Sequence, residues 1–355
     1  MQPVAVRILH PSAPTDAGAL TRWLADVRAR NADLLAARFS SAGATNVQVL
    51  AGPSDARPFG ARLRDLAGSL PADTGLVVLS SGAIPLARHR DIEVLVEAAG
   101  SGERRGLANN YYSADVVAVG RAEALRDVPD LPGDNALPRW LDEVAGFEVR
   151  DLRRRWRLSV DLDSPLDAVL VDRARAPNDV DLAPLRDRMA GVRAVAADRR
   201  AELVAAGRTS GRTLQWLERT TAARTRAIIE ERGLRASSPD AVAGGLVLAR
   251  RPPRSVLGML LDDRGPAAFG AILGELGGGA IVDTRVLLAH RLGADEAAWP
   301  IPEDRYASDL LLPDRIGDPW LRALTASALA ASIPILLGGH SLVGPGIRLL
   351  LGRAR

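Results

Sequence analysis

Two aspartates placed two residues apart are the most chemically suggestive feature of the sequence. Asp161 and Asp163 follow a short apolar run, and side chains two residues apart on an extended segment share one face. Mg²⁺ is bound in proteins by one or two carboxylates together with phosphate oxygens. The spacing therefore predicts a site for Mg²⁺ or Mn²⁺, with Asp161 and Asp163 as metal ligands, that would serve nucleotide chemistry.

A helix cap explains the same stretch without a metal. Ser164 or Asp163 is suited to cap a helix that begins at Pro165, and Asp167 would complement the dipole of that helix. The cap and the metal site are compatible with each other.

Composition excludes several kinds of chemistry. The 355 residues include no cysteine and no lysine, so all 46 basic residues are arginine. Disulfides, cysteine nucleophiles, lysine Schiff bases and the phosphate-binding lysine of a P-loop are therefore excluded. An anion must be held by arginine or by backbone amides. The formal net charge of only +3 gives little reason to expect a nucleic-acid partner, and we expect none.

The sequence also indicates where the protein works. Residues 1–30 lack the charged start and apolar core of a signal peptide, so we expect a cytoplasmic protein. The most apolar region, 323–351, is interrupted by Pro334, His340 and Pro345 and is too broken to span a membrane. We expect no membrane partner, and we interpret this region as buried core or as the interface of a homo-oligomer.

Strands and helices alternate through the first half of the chain. The predicted strands cover 4–9, 47–51, 75–80, 114–119, 147–150 and 158–160, and the predicted helices cover 16–41, 59–69, 90–99, 122–125 and 137–145. Such alternation predicts an α/β fold, a mostly parallel, Rossmann-like sheet covered on both faces. Ligands of such sheets bind beyond the carboxyl ends of the strands, where Asp161 and Asp163 would lie.

The second half of the chain has a different residue pattern. Long arginine-rich helical patterns cover 182–206 and 210–232, and short strands are possible at 256–261, 280–289 and 333–337. We therefore predict two domains, an α/β domain over residues 1–180 and a mainly helical domain of unknown role over residues 181–355.

Three segments resemble the nucleotidyltransferase fold of phospholactate and molybdenum-cofactor guanylyltransferases. Gly133-Asp-Asn-Ala-Leu-Pro-Arg139-Trp-Leu resembles the start of a helix in the first family, and Ser159-Val-Asp161-Leu-Asp163-Ser-Pro-Leu-Asp167 resembles its metal-binding segment. The stretch 77–86 resembles its apolar strand ending in Asp-x-Pro-Leu. The likeness covers roughly residues 30–171.

The resemblance implies a GT-A-like fold and a metal-dependent nucleotidyltransferase. Its substrates would be a nucleoside triphosphate and a small phosphorylated metabolite. Asp161 and Asp163 would hold the cation, and Arg139 could bind a phosphate through a bidentate fork. The nucleotide-binding candidates are Asn109, Asn110 and Asn135. An exposed arginine in a helix and asparagines in turns are the structural alternatives for these residues.

The sequence departs from the family at two places. His10-Pro-Ser-Ala-Pro stands where the family has a Gly-rich phosphate loop, and Ala83 stands where it has its first metal-binding aspartate. Two alternatives therefore remain open. One is a non-catalytic, degenerate scaffold used for binding or interaction, and the other is a sugar-nucleotide glycosyltransferase that uses Asp161-Leu-Asp163 as an Asp-x-Asp motif.

One further motif lies near the end of the chain. Gly338-Gly-His-Ser341-Leu-Val-Gly344 resembles the serine turn of α/β-hydrolases but is one residue out of register, and too few residues follow Ser341 to supply that family's acid and histidine. We interpret it as a tight glycine turn or as an anion-binding nest of backbone amides.

Overall fold

The structure, a computed structural model, describes residues 1–131, 133–172, 175–231 and 253–352. The described residues form two compact units. Unit 1 consists of residues 1–15, 25–131 and 133–162, and unit 2 consists of residues 16–24, 163–172, 175–231 and 253–352.

Unit 1 is a six-stranded mixed sheet with helices. Its strands are β1 (Val4–Pro11), β2 (Asn46–Gly52), β3 (Gly75–Ser80), β4 (Arg105–Ala108), β5 (Val116–Val119) and β6 (Glu148–Asp151). Its helices are α1 (Ala19–Ser41, of which residues 25–41 belong to this unit), α2 (Phe59–Gly68), α3 (His89–Ala99) and α4 (Leu137–Glu143), with short 3₁₀ helices at Ala122–Asp127, Asp134–Ala136 and Trp156–Ser159. The sheet order is β2-β1-β3-β5-β4-β6, in which only β5 runs antiparallel to its neighbours.

Alternating side chains bury both faces of this sheet. On β1, Val6 and Ile8 pack into one apolar cluster with Phe39 of α1, whereas Ala5 packs into the opposite cluster with Leu63 of α2. Strands β3 and β5 alternate in the same way. Helices α1 and α3 therefore cover one face, and α2 and α4 cover the other, as the α/β interpretation predicts.

The structure of unit 1 differs from the sequence prediction at two strands, one predicted wrongly and one not predicted. The predicted strand at 158–160 is replaced by the 3₁₀ helix Trp156–Ser159, because the only apolar residues there are too few to define a strand period. Strand β4 was missed, since Arg105-Gly-Leu-Ala is short and its glycine and arginine weaken the strand pattern.

Unit 2 is a four-stranded parallel sheet with helices. Its strands are β7 (Glu202–Gly207), β8 (Arg224–Ile229), β9 (Gly279–Asp283) and β10 (Ile335–Gly338), in the order β10-β9-β7-β8. Its helices are α5 (Pro165–Leu170), α6 (Ala183–Ala197), α7 (Gly211–Thr220), α8 (Val256–Arg264), α9 (Phe269–Leu276), α10 (Thr284–Leu292), α11 (Pro302–Asp309), α12 (Pro319–Ala330), α13 (His340–Val343) and α14 (Ile347–Leu351).

Unit 2 contains more strand than the sequence predicted. Each predicted arginine-rich helix is in fact a helix followed by a strand, with α6 and β7 in the first and α7 and β8 in the second, and Arg232 lies outside the described residues. The predicted strand at 256–261 is helix α8. The strand predicted at 280–289 is confirmed over 280–283, which lie in β9, whereas 284–289 begin helix α10. The strand near 333–337 is confirmed as β10.

Much of the apolar region 323–351 is buried within unit 2. Strand β10 is buried along its whole length, and Leu342, Val343 and Ile347 are fully buried. Among the described residues, no helix combines the length and the apolar character needed to cross a membrane.

Candidate functional site

A cleft of about 630 Å³ opens at the carboxyl edge of the unit 1 sheet. The ends of β1, β2 and β3 and the start of the antiparallel β5 all reach it. We call it the β1–β3 cleft; its lining includes Leu9, His10, Leu50, Ala51, Gly52, Asp55, Arg57, Phe59, Arg62, Asp65, Leu79, Ser80, Asp115, Val116, Gly133 and Asp134. In α/β sheets this edge is where ligands bind.

The rim of the cleft carries a network of ion pairs. Arg57 donates to Asp55 through Nε and Nη2 and to Asp65 through Nη1 at 2.8 Å. Arg62 lies 3.7 Å from Asp55. The hydrogen bonds from Arg57 lower the pKa of the Asp55 carboxyl to about 2, so this carboxylate stays ionised at neutral pH. The arginines are therefore held at the mouth of the cleft by acids that a more strongly charged ligand could replace.

The loop after β3 is held in place by a buried asparagine side chain of helix α1. The side-chain amide of the buried Asn31 donates to the carbonyls of Ser81 (2.8 Å) and Ala83 (3.1 Å). Ile84, fully buried, has a φ of 42°, a region that β-branched residues rarely adopt. Such strain persists only where surrounding contacts impose it, which makes this loop a constrained feature of the carboxyl edge.

His10 stands on β1 beside this loop. Its Nδ1 lies 3.0 Å from the hydroxyl oxygen of Ser81, which is fully buried. Burial and the nearby Arg28 guanidinium lower the pKa of His10, so the ring is neutral at pH 7. It therefore offers the cleft a hydrogen-bonding ring and no positive charge.

The segment that carries Asp161 is hydrogen-bonded to the same loop. The amide of Leu162 donates to the carbonyl of Gly82 (3.0 Å), and Nε of Arg28 donates to the carbonyl of Leu162 (2.6 Å). Asp161 is partly buried. Unit 1 thus brings a predicted metal ligand to the loop that follows β3, one of the strands whose ends line the cleft.

The predicted helix cap is present. Helix α5 begins at Pro165, and Ser164 and Asp167 form a capping box in which Asp167 Oδ2 accepts from the Ser164 amide (2.7 Å) and from the Asp163 amide (3.0 Å). Burial, and then the Asp163 carboxylate, raise the pKa of Asp167 to about 7. The side chain of Asp163 itself is exposed, and its backbone takes part in this cap within unit 2.

The predicted asparagines have different surroundings. Asn109 is buried, donates to Asp115 (2.8 Å) and to the carbonyl of Leu158 (2.9 Å), and so supports the loop between β4 and β5. Asn110 accepts from the Tyr112 amide within that loop at 2.9 Å, the turn alternative raised from the sequence. Asn135 follows Asp134, which lines the β1–β3 cleft.

Arg139 lies in a second cavity, shallower and of about 850 Å³. We call it the tyrosine cavity; it is lined by Tyr111, Tyr112, Arg139, Asp142, Glu143, Val149, Arg150, Asp151 and Arg153. It lies at the carboxyl ends of β4 and β6, the same edge of the sheet as the β1–β3 cleft. The loop between β4 and β5 supplies residues to both cavities.

Unit 2 has its own charged carboxyl edge. The register pairs Gly338 of β10 with Asp283 of β9, and Ala206 of β7 with Val282 of β9. Gly207, the last residue of β7, therefore lies at the same edge. Arg208 donates to the buried Asp283 through Nε (2.5 Å) and Nη2 (3.2 Å), and His340 Nδ1 donates to the carbonyl of Arg208 (2.8 Å). The glycine-rich motif at 338–344 contains the short helix α13, which begins at this edge.

A buried ion pair lies behind that edge. Arg285 donates to both carboxylate oxygens of Asp309, with Nη2 at 2.6 Å from Oδ2, and Asp309 is fully buried. Desolvation alone would lower the pKa of Arg285, but the charge of Asp309 and its hydrogen bonds to Arg285 raise that pKa by more. Burial also raises the pKa of Asp309, and the Arg285 guanidinium opposes that rise.

The side chains of the described residues fit a metal ion only if a bound ligand supplies some of the ion's ligands. Among the described residues no group of three or more histidine, aspartate or glutamate side chains could hold a metal ion. The lining of the β1–β3 cleft has four aspartates against two arginines, so a polyphosphate would enter only with cations that neutralise it. Mg²⁺ carried by phosphates and held by one or two carboxylates meets both conditions.

The sequence predicted Asp161 as a metal ligand but gave no indication of the cleft itself. Its walls come from the ends of strands that were predicted correctly, yet nothing in the types of Leu9, Leu50 or Leu79 marks them as lining residues. The signal that could have located it is the break Gly52-Pro53 and the polar run to Arg57, directly after β2. No family model matches the chain, and no curated protein matches it at a significant level of similarity.

Proposed function

We propose that unit 1 binds a nucleoside triphosphate in the β1–β3 cleft and transfers its nucleotidyl group to a small phosphorylated metabolite. The observation that carries the proposal is the position of the cleft. It lies beyond the carboxyl ends of three adjacent strands, beside the loop to which the Asp161 segment is hydrogen-bonded.

The sheet supports a GT-A-like interpretation of this unit. Three parallel strands, β2, β1 and β3, are followed by an antiparallel β5 and then by β4 and β6. The motif that resembles the guanylyltransferase helix start covers the 3₁₀ helix Asp134–Ala136 and α4, and Gly133 and Asp134 of that motif line the cleft. The resemblance and the cavity thus point to the same edge.

In the proposed reaction an oxygen of the acceptor phosphate attacks the α-phosphorus and pyrophosphate leaves. Arg57 and Arg62 are placed to exchange their aspartate partners for phosphate oxygens, and Arg139 would hold the acceptor. Asp161, the predicted metal ligand that lies in unit 1, would hold Mg²⁺ or Mn²⁺, which supplies positive charge to the phosphates. Catalysis on this scheme is positioning and charge neutralisation.

One observation favours the non-catalytic alternative. Ala83, at the position where the resembling families have a metal-binding aspartate, is fully buried and its carbonyl is held by Asn31. This position contributes no carboxylate, so a protein that binds nucleotide without turnover is the second candidate. The two candidates share the ligand and differ only in pyrophosphate release.

The test is a thermal-shift screen of the full chain with GTP, ATP, CTP and UTP, each with and without Mg²⁺ or Mn²⁺. A ligand that binds the folded state raises the melting temperature by mass action. We expect a metal-dependent shift with one triphosphate that is lost in Asp161→Asn and kept in Asp73→Asn, an exposed acid in the loop before β3, at the other edge of the sheet. No shift in folded protein would contradict the proposal.

A further inference from the structure

The tyrosine cavity presents an aromatic ring to solvent. The Tyr112 residue is 61% exposed on the wall of the cavity, whereas large aromatic side chains are more often buried. An exposed aromatic surface inside a concavity is a feature of ligand sites. The tyrosine cavity therefore has a feature of a ligand-binding site.

The ring is held in place before any ligand arrives. The Tyr112 amide donates to Asn110, and its ring packs edge-on against Tyr111 with the centroids 4.9 Å apart. The hydroxyl of Tyr111 donates to Asp142 at 2.7 Å. Burial and the Asp142 carboxylate raise the pKa of Tyr111, so its hydroxyl stays protonated and keeps this bond. The Tyr112 side chain would therefore lose little further conformational entropy when a ligand stacks on its ring.

The charges around the ring are balanced. Three arginines face three carboxylates, and the pairs are close: Arg153 lies 2.9 Å from Asp151, and Arg139 lies 3.3 Å from Glu143. The guanidinium of Arg153 also lies 5.8 Å from the centre of the Tyr112 ring. A site without net charge has no strong preference for a highly charged group, which favours a neutral part of the ligand beside Tyr112.

Adjacent carboxylate and guanidinium groups suit hydroxyl groups. A hydroxyl donates one hydrogen bond and accepts others, so neighbouring hydroxyls can donate to Asp151 while accepting from Arg153. A nucleobase edge can also pair with such groups, so guanosine is the probe that separates a nucleobase from a sugar ring. The C–H face of a saturated ring can lie on the electron-rich face of Tyr112.

We propose that the tyrosine cavity binds a neutral sugar ring, stacked on Tyr112 and hydrogen-bonded to the Asp151–Arg153 pair. Its position at the same sheet edge as the β1–β3 cleft assigns the sugar to the acceptor substrate of the transfer. That assignment rests on the proposed function, whereas the binding of the ring does not.

The test is saturation-transfer NMR on the full chain without nucleotide, using the methyl glycosides of glucose, galactose and mannose and free guanosine as probes. We expect saturation of the ring protons of at least one glycoside, reduced about fivefold in Tyr112→Ala and retained in Tyr112→Phe. Asp73→Asn, in the exposed loop before β3 at the other edge of the sheet, is the control and should leave the glycoside signal unchanged.

Three results would overturn the proposal: no saturation of any glycoside, equal saturation in Tyr112→Ala, or saturation of guanosine alone. The last would identify a nucleobase site instead. Glycoside binding by a protein that binds no triphosphate would leave the sugar site standing and remove only its role as the acceptor site, so the two proposals fail separately.

Discussion

The amide of Leu162 donates to the carbonyl of Gly82 at 3.0 Å, which joins the Asp161 segment to the loop after β3. Arg28 reinforces the junction by donating to the carbonyl of Leu162 at 2.6 Å. Residues 82 and 162 are far apart in sequence, so this contact, rather than local spacing, determines where Asp161 lies relative to the cleft.

Substitution of Gly82 should disturb this junction. A methyl group there would lie 3.1 Å from the Leu162 carbonyl oxygen and 3.2 Å from Nε of Arg28. We expect Gly82→Ala to lower the free energy of unfolding by about 1–2 kcal/mol, measured by urea denaturation, and to weaken triphosphate binding. Gly68→Ala, at the end of α2 with nothing within 4 Å, is the control; it should be neutral or slightly stabilising and leave triphosphate binding unchanged.

Asp167 should make unit 2 more stable at mildly acidic pH. Its pKa is about 7 in the folded protein against an ordinary value of 3.8 for an aspartate side chain, so the folded state holds the proton more tightly than the unfolded chain does. The contribution is present in full below pH 4 and is lost as the pH rises through 7, with a range on the order of 4 kcal/mol.

Asp167→Asn removes this titration and keeps a hydrogen-bond acceptor at the cap. We expect the difference in unfolding free energy between wild type and Asp167→Asn to shift in favour of wild type as the pH falls from 8 to 5. A difference that does not vary with pH would show that Asp167 is ionised throughout.

Removing one member of the buried pair Arg285–Asp309 should destabilise unit 2 strongly, whereas replacing both members with apolar residues should destabilise it little. Asp309→Leu leaves a buried guanidinium without its partner, and we expect a loss of about 3–5 kcal/mol in unfolding free energy. The double variant Arg285→Met/Asp309→Leu should recover most of this loss. Equal losses in the single and double variants would mean that the pair itself stabilises unit 2.

Gly207 should tolerate no side chain. Its φ is +125°, and a methyl group would lie 2.3 Å from Cβ of Asp283. We expect Gly207→Ala to destabilise unit 2 by at least about 1–3 kcal/mol, because both the backbone and the Asp283 side chain must move. Gly211→Ala, at the first turn of α7 with open space around it, should be neutral or slightly stabilising in the same thermal melts.

The sequence predicted the elements of unit 1 better than those of unit 2. Strands β1, β2 and β3 alternate or run apolar between clear turn residues, so their bounds were found within two residues. In unit 2, α6 and β7 are separated only by the short polar stretch 198–201, and alanine and arginine on both sides fit a continuing helix. The composition of residues 202–207 favours a helix, but pairing with β8 and β9 makes this segment the strand β7.

The candidate site was predictable only in part. The Ser164–Asp167 cap depends on residues three apart and could be read directly from the sequence. The cavities depend on loops from distant strands: Tyr112 follows β4 and Arg153 follows β6, and their proximity is a consequence of the parallel pairing of those two strands. Residue spacing along the chain carries no information about such a contact.

Calorimetric titration of GTP, ATP, CTP and UTP into wild type and a cleft-filled variant tests the central claim most directly. Ala51, exposed at the end of β2, lines the cleft, so Ala51→Trp would fill it, while Ala72→Trp places the same ring in the exposed loop before β3. We predict Mg²⁺-dependent binding of one triphosphate to wild type and Ala72→Trp, weakened at least about tenfold in Ala51→Trp. Undiminished binding in Ala51→Trp, or no binding to folded wild type with Mg²⁺, would contradict the claim that this cleft is a nucleotide site.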